Sequence, residues 1–238
     1  MKFLRSESRN AGIVGLTLED VKKVRKVVTD KMFPERYIVF YGFPHKKIIV
    51  KSKVFYADPP LIRGKAMKTA TKLVRQPVIA IINAESNCIT KDLVEKVVGE
   101  IEAGEYSIYL SIPYTSTELE KWYKRFAKLI LEVLPDIALP LYPSYSLVVG
   151  VRKYFDLEEE TLWNFEHLAV FIASLDSKAR VRIDDAGCKD HVQPVFSKME
   201  ELFAKSMLKG VIKLAVRKKA IEREQGFRIL SEAGVKIQ

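Results

Sequence analysis

The fold is decided by residues 77–113, PVIAIINAESNCITKDLVEKVVGEIEAGEYSIYLSIP. The opening run, PVIAIINA, is short, almost wholly apolar and rich in branched residues, which is typical of a strand buried on both faces. A helix is predicted over residues 87–104, with Thr90 as its N-cap and Gly104 as its stop. A second strand is predicted over residues 106–112. A strand, a helix and a strand in so short a stretch predict a βαβ unit with two parallel, neighbouring strands.

Helices and short apolar strands alternate on both sides of this stretch, which predicts an α/β fold with a layered mixed sheet. Residues 1–16 show little periodicity and are expected to be a flexible arm, followed by a helix capped by Thr17. Residues 37–41 and 47–56 are interpreted as the two strands of an N-terminal hairpin. A closed barrel is the alternative topology, because periodicity does not determine how the strands are ordered.

The second half of the chain adds one strong helix, several strands and a helical end. Thr117 is predicted to cap the strong helix. Two C-terminal helices are predicted to stop at Gly210 and Gly226. The predicted strands are residues 137–142, 145–151, 168–174 and 179–183. We therefore expect one α/β domain over residues 17–193, with a helical segment over residues 194–238 packed on it.

The amino-acid composition limits the classes of protein to which this chain can belong. No run of residues is long and apolar enough to predict a transmembrane helix, and the first residues do not resemble a signal peptide. Cys88 and Cys188 are the only cysteines and are expected to be reduced, inert thiols of a cytoplasmic protein. Asn and Gln occur four times each, while Lys and Glu are abundant, which is a bias typical of thermophile proteins. Sequence motifs of the common nucleotide-binding and hydrolase sites are absent.

Positive charge is concentrated along the chain, whose formal net charge is +10. Residues 46–75 contain nine basic residues and a single acid, Asp58. Part of this set shares one strand face and part forms one helical stripe, so the surface suits a polyanion. Phe55, on the strand face, is placed to stack on a base. The basic candidates for phosphate contacts are Lys47, Lys51, Lys53, Lys65, Lys68, Lys72 and Arg75.

A second basic segment, residues 205–228, adds Lys213, Arg217 and Lys218 to these candidates. The alternative for both segments is a solvated surface of the kind common in thermophile proteins. His45 is interpreted as a member of the first basic segment, and His167 as a structural histidine.

The densest set of catalytic side chains follows a predicted strand, where loops commonly carry chemistry. It consists of Asp184, Asp185, Asp190 and His191. Asp184 and Asp190 are candidate ligands for Mg²⁺ or Mn²⁺, and Glu85 would join them if the two strand ends were neighbours. The alternative is an ordinary turn, because Asp, Gly and Lys are common turn residues.

Three function classes follow from these patterns. The leading hypothesis is a cytoplasmic protein that binds nucleic acid through its basic surface. The alternative is a metal-dependent enzyme that acts on nucleic acid or on another phosphorylated substrate, in which the acidic set would activate water. The third is a scaffold or a homo-oligomeric assembly subunit whose acidic and basic faces pair between copies. The sequence leaves open whether the chain is an enzyme.

Overall fold

Seven strands form one open sheet in the computed structural model of the chain. The structure describes residues 9–17, 25–28, 30–42, 53–56, 62–83, 86, 88–112, 117–140, 145–158, 164–184 and 200–235. The strands are β1 Ala11–Thr17, β2 Glu35–Phe40, β3 Lys53–Tyr56, β4 Val78–Asn83, β5 Ile108–Ser111, β6 Leu147–Val151 and β7 Val181–Asp184. Their order across the sheet is β3-β2-β1-β4-β6-β5-β7. Every pairing is parallel except those of β6, which runs antiparallel to both β4 and β5.

Helices cover both faces of the sheet. They are α1 Arg25–Val28, α2 Arg63–Leu73, α3 Lys91–Glu102, α4 Thr117–Leu131, α5 Phe165–Ser174, α6 Glu200–Arg217 and α7 Arg223–Glu232. One core lies between the sheet and α2, α4, α5, α6 and α7. A smaller core on the other face packs α1 and α3 against the sheet. The predicted layered α/β class with a helical C-terminal end is therefore confirmed.

The central stretch folds as predicted in its elements, with one difference in pairing. Thr90 caps α3, because its Oγ1 accepts a hydrogen bond of 3.2 Å from the backbone N–H of Leu93. Strands β4 and β5 point the same way but are not neighbours, since β6 lies between them. The predicted adjacency was wrong because β6 comes from a part of the chain that the local pattern does not include.

Strand β1 corrects the expected N-terminal arm. Residues Ala11–Thr17 are buried along their whole length and pair with both β2 and β4. Thr17 is the last residue of this strand, and residues 18–24, where the helix that it was predicted to cap would begin, lie outside the described residues. Gly12 explains the weak sequence signal: a Cβ there would lie 2.4 Å from Cγ1 of Val74, so only glycine lets the end of α2 pack this close. Residues 1–8 lie outside the described part of the chain.

The predicted hairpin is also wrong, because β2 and β3 run parallel, with Tyr37 paired to Lys53 and Phe40 to Tyr56. Parallel neighbours require a crossover connection, and the residues of that connection, 43–52, lie outside the described residues. The barrel alternative is wrong as well. In the described sheet, β3 and β7 each have one neighbour only and form its two edges.

Three predicted elements differ in kind. Residues 168–174 belong to α5, whose residues are buried on almost every side, so no polar face marks it as a helix. Residues 137–140 are described and form no strand. Gly210 and Gly226 lie inside α6 and α7 instead of ending them. Both glycines serve close packing, since a Cβ on Gly210 would meet Nδ2 of Asn164 at 1.9 Å and one on Gly226 would meet Val216 at 2.9 Å.

Cys88 corrects the expectation of two reduced thiols, because it is disulfide-bonded. Cys188, the only other cysteine of the chain, lies outside the described residues. None of the helices that the structure describes is long and apolar enough to cross a membrane. The division into an α/β domain and a C-terminal segment stays a prediction.

Candidate functional site

The carboxyl ends of six parallel strands lie along one edge of the sheet, called here the carboxyl edge. In open α/β sheets this is the edge where ligands bind. Polar residues end four of the six strands, whereas Phe40 and Tyr56 end the other two. The four polar strand ends are Thr17, Asn83, Ser111 and Asp184.

Strand β6 joins the middle of this edge into one surface. Because β6 is antiparallel, it begins where β4 and β5 end. The backbone N–H of Asn83 donates to the carbonyl of Ser146 at 2.9 Å, and the N–H of Ser146 donates to the carbonyl of Ser111 at 3.1 Å. Asn83, Ser146 and Ser111, which are two strand ends and the residue just before β6, are thus held side by side.

Helix α2 begins at the same edge. Its C-terminal end lies at the opposite edge, where the N–H of Arg75 donates to Oε2 of Glu35, the first residue of β2. The N-cap of α2 is Ile62, which has no side-chain oxygen, and the first turn contains no acidic residue. A helix N-terminus carries a partial positive charge, and Lys65 in the first turn adds a full one. The start of α2 is therefore suited to an anion.

A buried ion pair lies directly behind this helix start. Nη1 of Arg63 contacts Oε1 of Glu166 in α5, with the two side chains 6% and 1% exposed. Nη2 of Arg63 also donates to the carbonyl of Tyr145 at 3.4 Å, just ahead of β6. In the part of the chain that the structure describes, Nε of Arg63 and Oε2 of Glu166 have no hydrogen-bond partner. The pair therefore connects α2, α5 and β6 inside the protein.

Two buried aromatic rings extend this group. The ring of Tyr123 in α4 stacks on His167 with 5.3 Å between centroids and an interplanar angle of 28°. Burial raises the pKa of the Tyr123 hydroxyl, and the negative charge of Glu166 raises it further. Tyr123 is therefore a neutral phenol. His167 is fully buried, as a structural histidine would be.

Asp184, at the end of β7, is the one member of the predicted acidic set among the described residues. Its Oδ2 accepts a hydrogen bond of 2.6 Å from Nη2 of Arg182. Burial raises the pKa of the neighbouring Tyr109 to about 12, and the charge of Asp184 contributes to this shift. The other members, Asp185, Asp190 and His191, and the additional candidate Glu85 lie outside the described residues.

A divalent metal does not fit the described residues on their own. Among them, no three His, Cys, Asp or Glu side chains come together as a metal site requires. The predicted Mg²⁺ or Mn²⁺ ligands Asp184 and Asp190, and the catalytic roles of the acidic set, stay predictions.

The basic candidates do not form the continuous surface that the sequence predicted. On the strand, Lys53 is exposed, but the half-buried ring of Phe55 packs edge-to-face on Tyr37 at 5.8 Å. The predicted stacking of Phe55 on a base stays a prediction. Lys47 and Lys51, together with His45, lie outside the described residues.

The helical stripe is spread over the whole height of the sheet. Lys65 is at the carboxyl edge, whereas Lys72 and Arg75 are near the opposite edge. Nζ of Lys68 donates to the carbonyl of Glu158 at 3.1 Å. In the second basic segment, Arg217 pairs with the Glu158 side chain at 3.5 Å. Lys213 and Lys218 are exposed.

Several solved structures that share this fold are of one synthase. The chain is similar to glucosyl-3-phosphoglycerate synthase from Mycobacterium tuberculosis in complex with phosphoglyceric acid, with a TM-score of 0.67, 12% identity, and coverage of 97% of this chain and 82% of that chain. The complex of that synthase with Mn²⁺, UDP-glucose and phosphoglyceric acid matches with a TM-score of 0.64, 14% identity, and the same coverage of both chains. No protein-family model matches this chain, and no curated protein matches it. The chain therefore shares its α/β fold with this synthase.

This finding contradicts the nucleic-acid hypothesis. The solved complexes of the similar synthase are with UDP, UDP-glucose and phosphoglycerates, and not with nucleic acid. The basic surface that motivated the hypothesis is divided between the two edges of the sheet. Lys68 and Arg217, two of its members, contact Glu158 within the chain. The alternative of an enzyme for phosphorylated substrates agrees better with the fold.

Sequence reasoning missed the residues that form the centre of the carboxyl edge. Arg63 was counted only as part of the basic run, and Glu166 only as part of a predicted helix. The two lie 103 positions apart in the chain, so no local pattern joins them. The polar residue after each apolar strand run, such as Asn83, was the only signal that could have pointed to this edge.

Proposed function

We propose that this chain is a glycosyltransferase that takes its sugar from a nucleotide-sugar donor bound at the carboxyl edge. The observation that carries the proposal is the likeness over 97% of the chain to a synthase whose solved complexes contain UDP-glucose, UDP and phosphoglycerates. The donor's diphosphate is an anion, and the start of α2 with Lys65 is the anion-suited feature of this edge.

In the transfer of a sugar, the main contribution to the barrier is the departure of the diphosphate leaving group. The bond between the anomeric carbon and the diphosphate oxygen breaks with its electrons passing to the diphosphate. The anomeric carbon bonds an acceptor oxygen, whose proton is released. Positive groups fixed near the departing diphosphate lower the barrier because they stabilise the charge that develops there. In this chain, Lys65 and the α2 N-terminus supply such groups.

Donor and metal requirements are left to experiment. The complexes of the similar synthase contain Mn²⁺ or Mg²⁺ together with UDP, but no step is assigned here to a metal. The polar strand ends Asn83 on β4 and Ser111 on β5, with Ser146 between them, support an acceptor next to the donor. A cytoplasmic location and assembly into homo-oligomers also stay predictions.

Donor binding tests the proposal. The melting temperature of the chain would be measured with UDP, UDP-glucose and GDP-mannose, each with and without Mn²⁺ or Mg²⁺. We expect one nucleotide to raise it in a concentration-dependent way, since a ligand that binds only the folded state stabilises it. Release of nucleoside diphosphate in the presence of 3-phosphoglycerate would then test transfer.

Two lysines on the same helix provide a matched pair of variants. Lys65→Met should weaken nucleotide binding about tenfold or more, because a charge-assisted contact to phosphate is lost. Lys72→Met removes the same charge at the far end of α2 and should leave the affinity within about twofold. If no nucleotide binds, or both variants lose affinity equally, the proposed site is wrong.

A further inference from the structure

The Arg63–Glu166 pair is an unusual way to join two halves of a protein. Arg63 is the first residue of α2, which leads into β4, and Glu166 is the second residue of α5, which leads into β7. Strands β4 and β7 lie in different parts of the sheet, with β6 and β5 between them. The Arg63–Glu166 pair, together with the Tyr145 carbonyl, therefore connects the helices that lead into β4 and β7. The most polar part of the carboxyl edge lies between these two strands.

Stability alone does not explain the pair. Taking two charges out of water costs more than an average ion pair returns, unless every remaining polar atom is also bonded. Here Nε of Arg63 and Oε2 of Glu166 have no hydrogen-bond partner among the described residues. Apolar residues of similar volume would often be at least as stable at such a place. What a buried pair provides instead is one defined arrangement of the elements it joins.

The element in need of a defined arrangement is the start of α2. Ile62 offers no side-chain cap, so the usual device that fixes a helix start is missing there. The other end of α2 is held well: the N–H groups of Arg75 and Gln76 donate to Oε2 of Glu35 at 2.6 and 3.1 Å. At the carboxyl edge, the side chain of Arg63 connects this helix start to Glu166 in α5 and to Tyr145 ahead of β6.

We propose that Arg63 and Glu166 are positioning residues that hold the first turn of α2 in register with the donor diphosphate. The pair acts through α2 and does not touch the donor. This inference rests on the proposed function for the identity of the ligand. The positioning of the helix start is a property of the free protein and can be measured separately.

The test uses a double variant that removes the pair without leaving a buried charge. Arg63→Met with Glu166→Leu should keep the melting temperature at or above that of the wild type. The dissociation constant for UDP should rise about tenfold, as should the KM for the donor, while kcat stays within about twofold, because binding and not chemistry is impaired. Amide hydrogens of residues 66–69, which donate the first hydrogen bonds within α2, should exchange at least about tenfold faster.

The pair Arg9–Glu102 provides the matched control. Arg9 lies just before β1, and Glu102 is the last residue of α3, so this pair is at the opposite edge of the sheet. Nη1 of Arg9 is 3.1 Å from Oε2 of Glu102. Arg9→Met with Glu102→Leu should change neither the affinity for UDP nor exchange at residues 66–69. If the Arg63–Glu166 variant is folded and binds UDP as the wild type does, the inference is wrong.

Two further outcomes separate this inference from the proposed function. If the wild type binds no nucleotide, the proposed function fails, and exchange at residues 66–69 alone decides whether the pair positions α2. If the double variant does not fold, Arg63→Lys replaces it. Lysine keeps the charge but cannot reach both Glu166 and the Tyr145 carbonyl, so exchange should still accelerate. Unchanged exchange in that variant would overturn the inference.

Discussion

The polar groups at the two edges of the sheet are bonded in different ways. At the edge where the parallel strands begin, called here the amino edge, carboxylates accept hydrogen bonds from backbone N–H groups. Glu35 accepts from Arg75 and Gln76 at 2.6 and 3.1 Å, and Glu102 accepts from Asn10 at 2.6 Å. These groups are all partly exposed. The amino edge thus satisfies the backbone at low cost.

The carboxyl edge instead buries a charged pair whose polar atoms are only partly bonded, and it begins α2 without a side-chain cap. Polar groups arranged at a cost to stability are characteristic of functional surfaces. The comparison therefore assigns stability to the amino edge and ligand binding to the carboxyl edge. Substitutions at each edge should separate these two properties.

The largest difference is expected from single substitutions of two arginines. Arg63→Met leaves Glu166 charged and buried, which should cost about 3–5 kcal/mol of unfolding free energy. Arg9→Met removes a partly exposed pair and should cost about 0–1 kcal/mol. Urea unfolding of both variants measures the difference. Equal losses would mean that the two pairs, and so the two edges, are alike.

A smaller effect is expected from Glu35→Ala at the amino edge. The variant loses an ionised acceptor for two backbone N–H groups, which should lower the unfolding free energy by about 1.5–3 kcal/mol. Nucleotide affinity, measured by calorimetry at a temperature where the variant is folded, should be unchanged. If the folded variant lost nucleotide affinity, part of the ligand site would lie at the amino edge, which would contradict the comparison.

Tyr123→Phe should change the unfolding free energy only slightly, and in the stabilising direction. The ring is fully buried, and the hydroxyl has no hydrogen-bond partner among the described residues. Removing it avoids the cost of burying a polar group and should leave stability unchanged or raise it by up to about 1 kcal/mol. Thermal unfolding would show this. Destabilisation by more than that would indicate that the hydroxyl is bonded in solution.

The smallest effect concerns pH at the amino edge. Hydrogen bonds from Lys153 at 2.9 Å and Tyr154 at 2.8 Å lower the pKa of Asp176 below its ordinary value of 3.8. A lowered pKa means that the stabilisation is complete above 3.8 and is lost as the pH falls through the folded-state value.

The melting temperature of Asp176→Asn should therefore be below that of the wild type near neutral pH. The gap between the two should close as the solution is acidified below the ordinary carboxyl pKa. Thermal scans across the acidic range measure this. A gap that is constant with pH, or that widens in acid, would contradict the assigned hydrogen bonds.

Local patterns predicted the elements that have clear polar and apolar faces. Strand β4, helix α3 with its Thr90 cap, and helices α2 and α4 follow from short-range spacing alone. The sequence pattern gave the wrong prediction for elements that are buried on all sides, because they have no polar face to contrast with an apolar one. Helix α5 is buried on almost every side and was mistaken for a strand.

Long-range pairing could not be predicted for a different reason. The insertion of β6 between β4 and β5 joins residues far apart in the chain, such as Ile82 and Leu147. The glycines of β1 made it resemble an arm, although Gly12 is required by the close approach of Val74. The site depends on the same long-range order, so the Arg63–Glu166 pair was not predictable from spacing.

The most direct test of the whole account is a hydrogen-exchange footprint of UDP on the wild-type chain, with Mn²⁺ present. The account predicts slower exchange at the start of α2 and at the carboxyl ends of β1 and β4, with no change at Asn10, Glu35 or the end of α3. Protection at the amino edge, or none anywhere at saturating UDP, would contradict the assignment of ligand binding to the carboxyl edge.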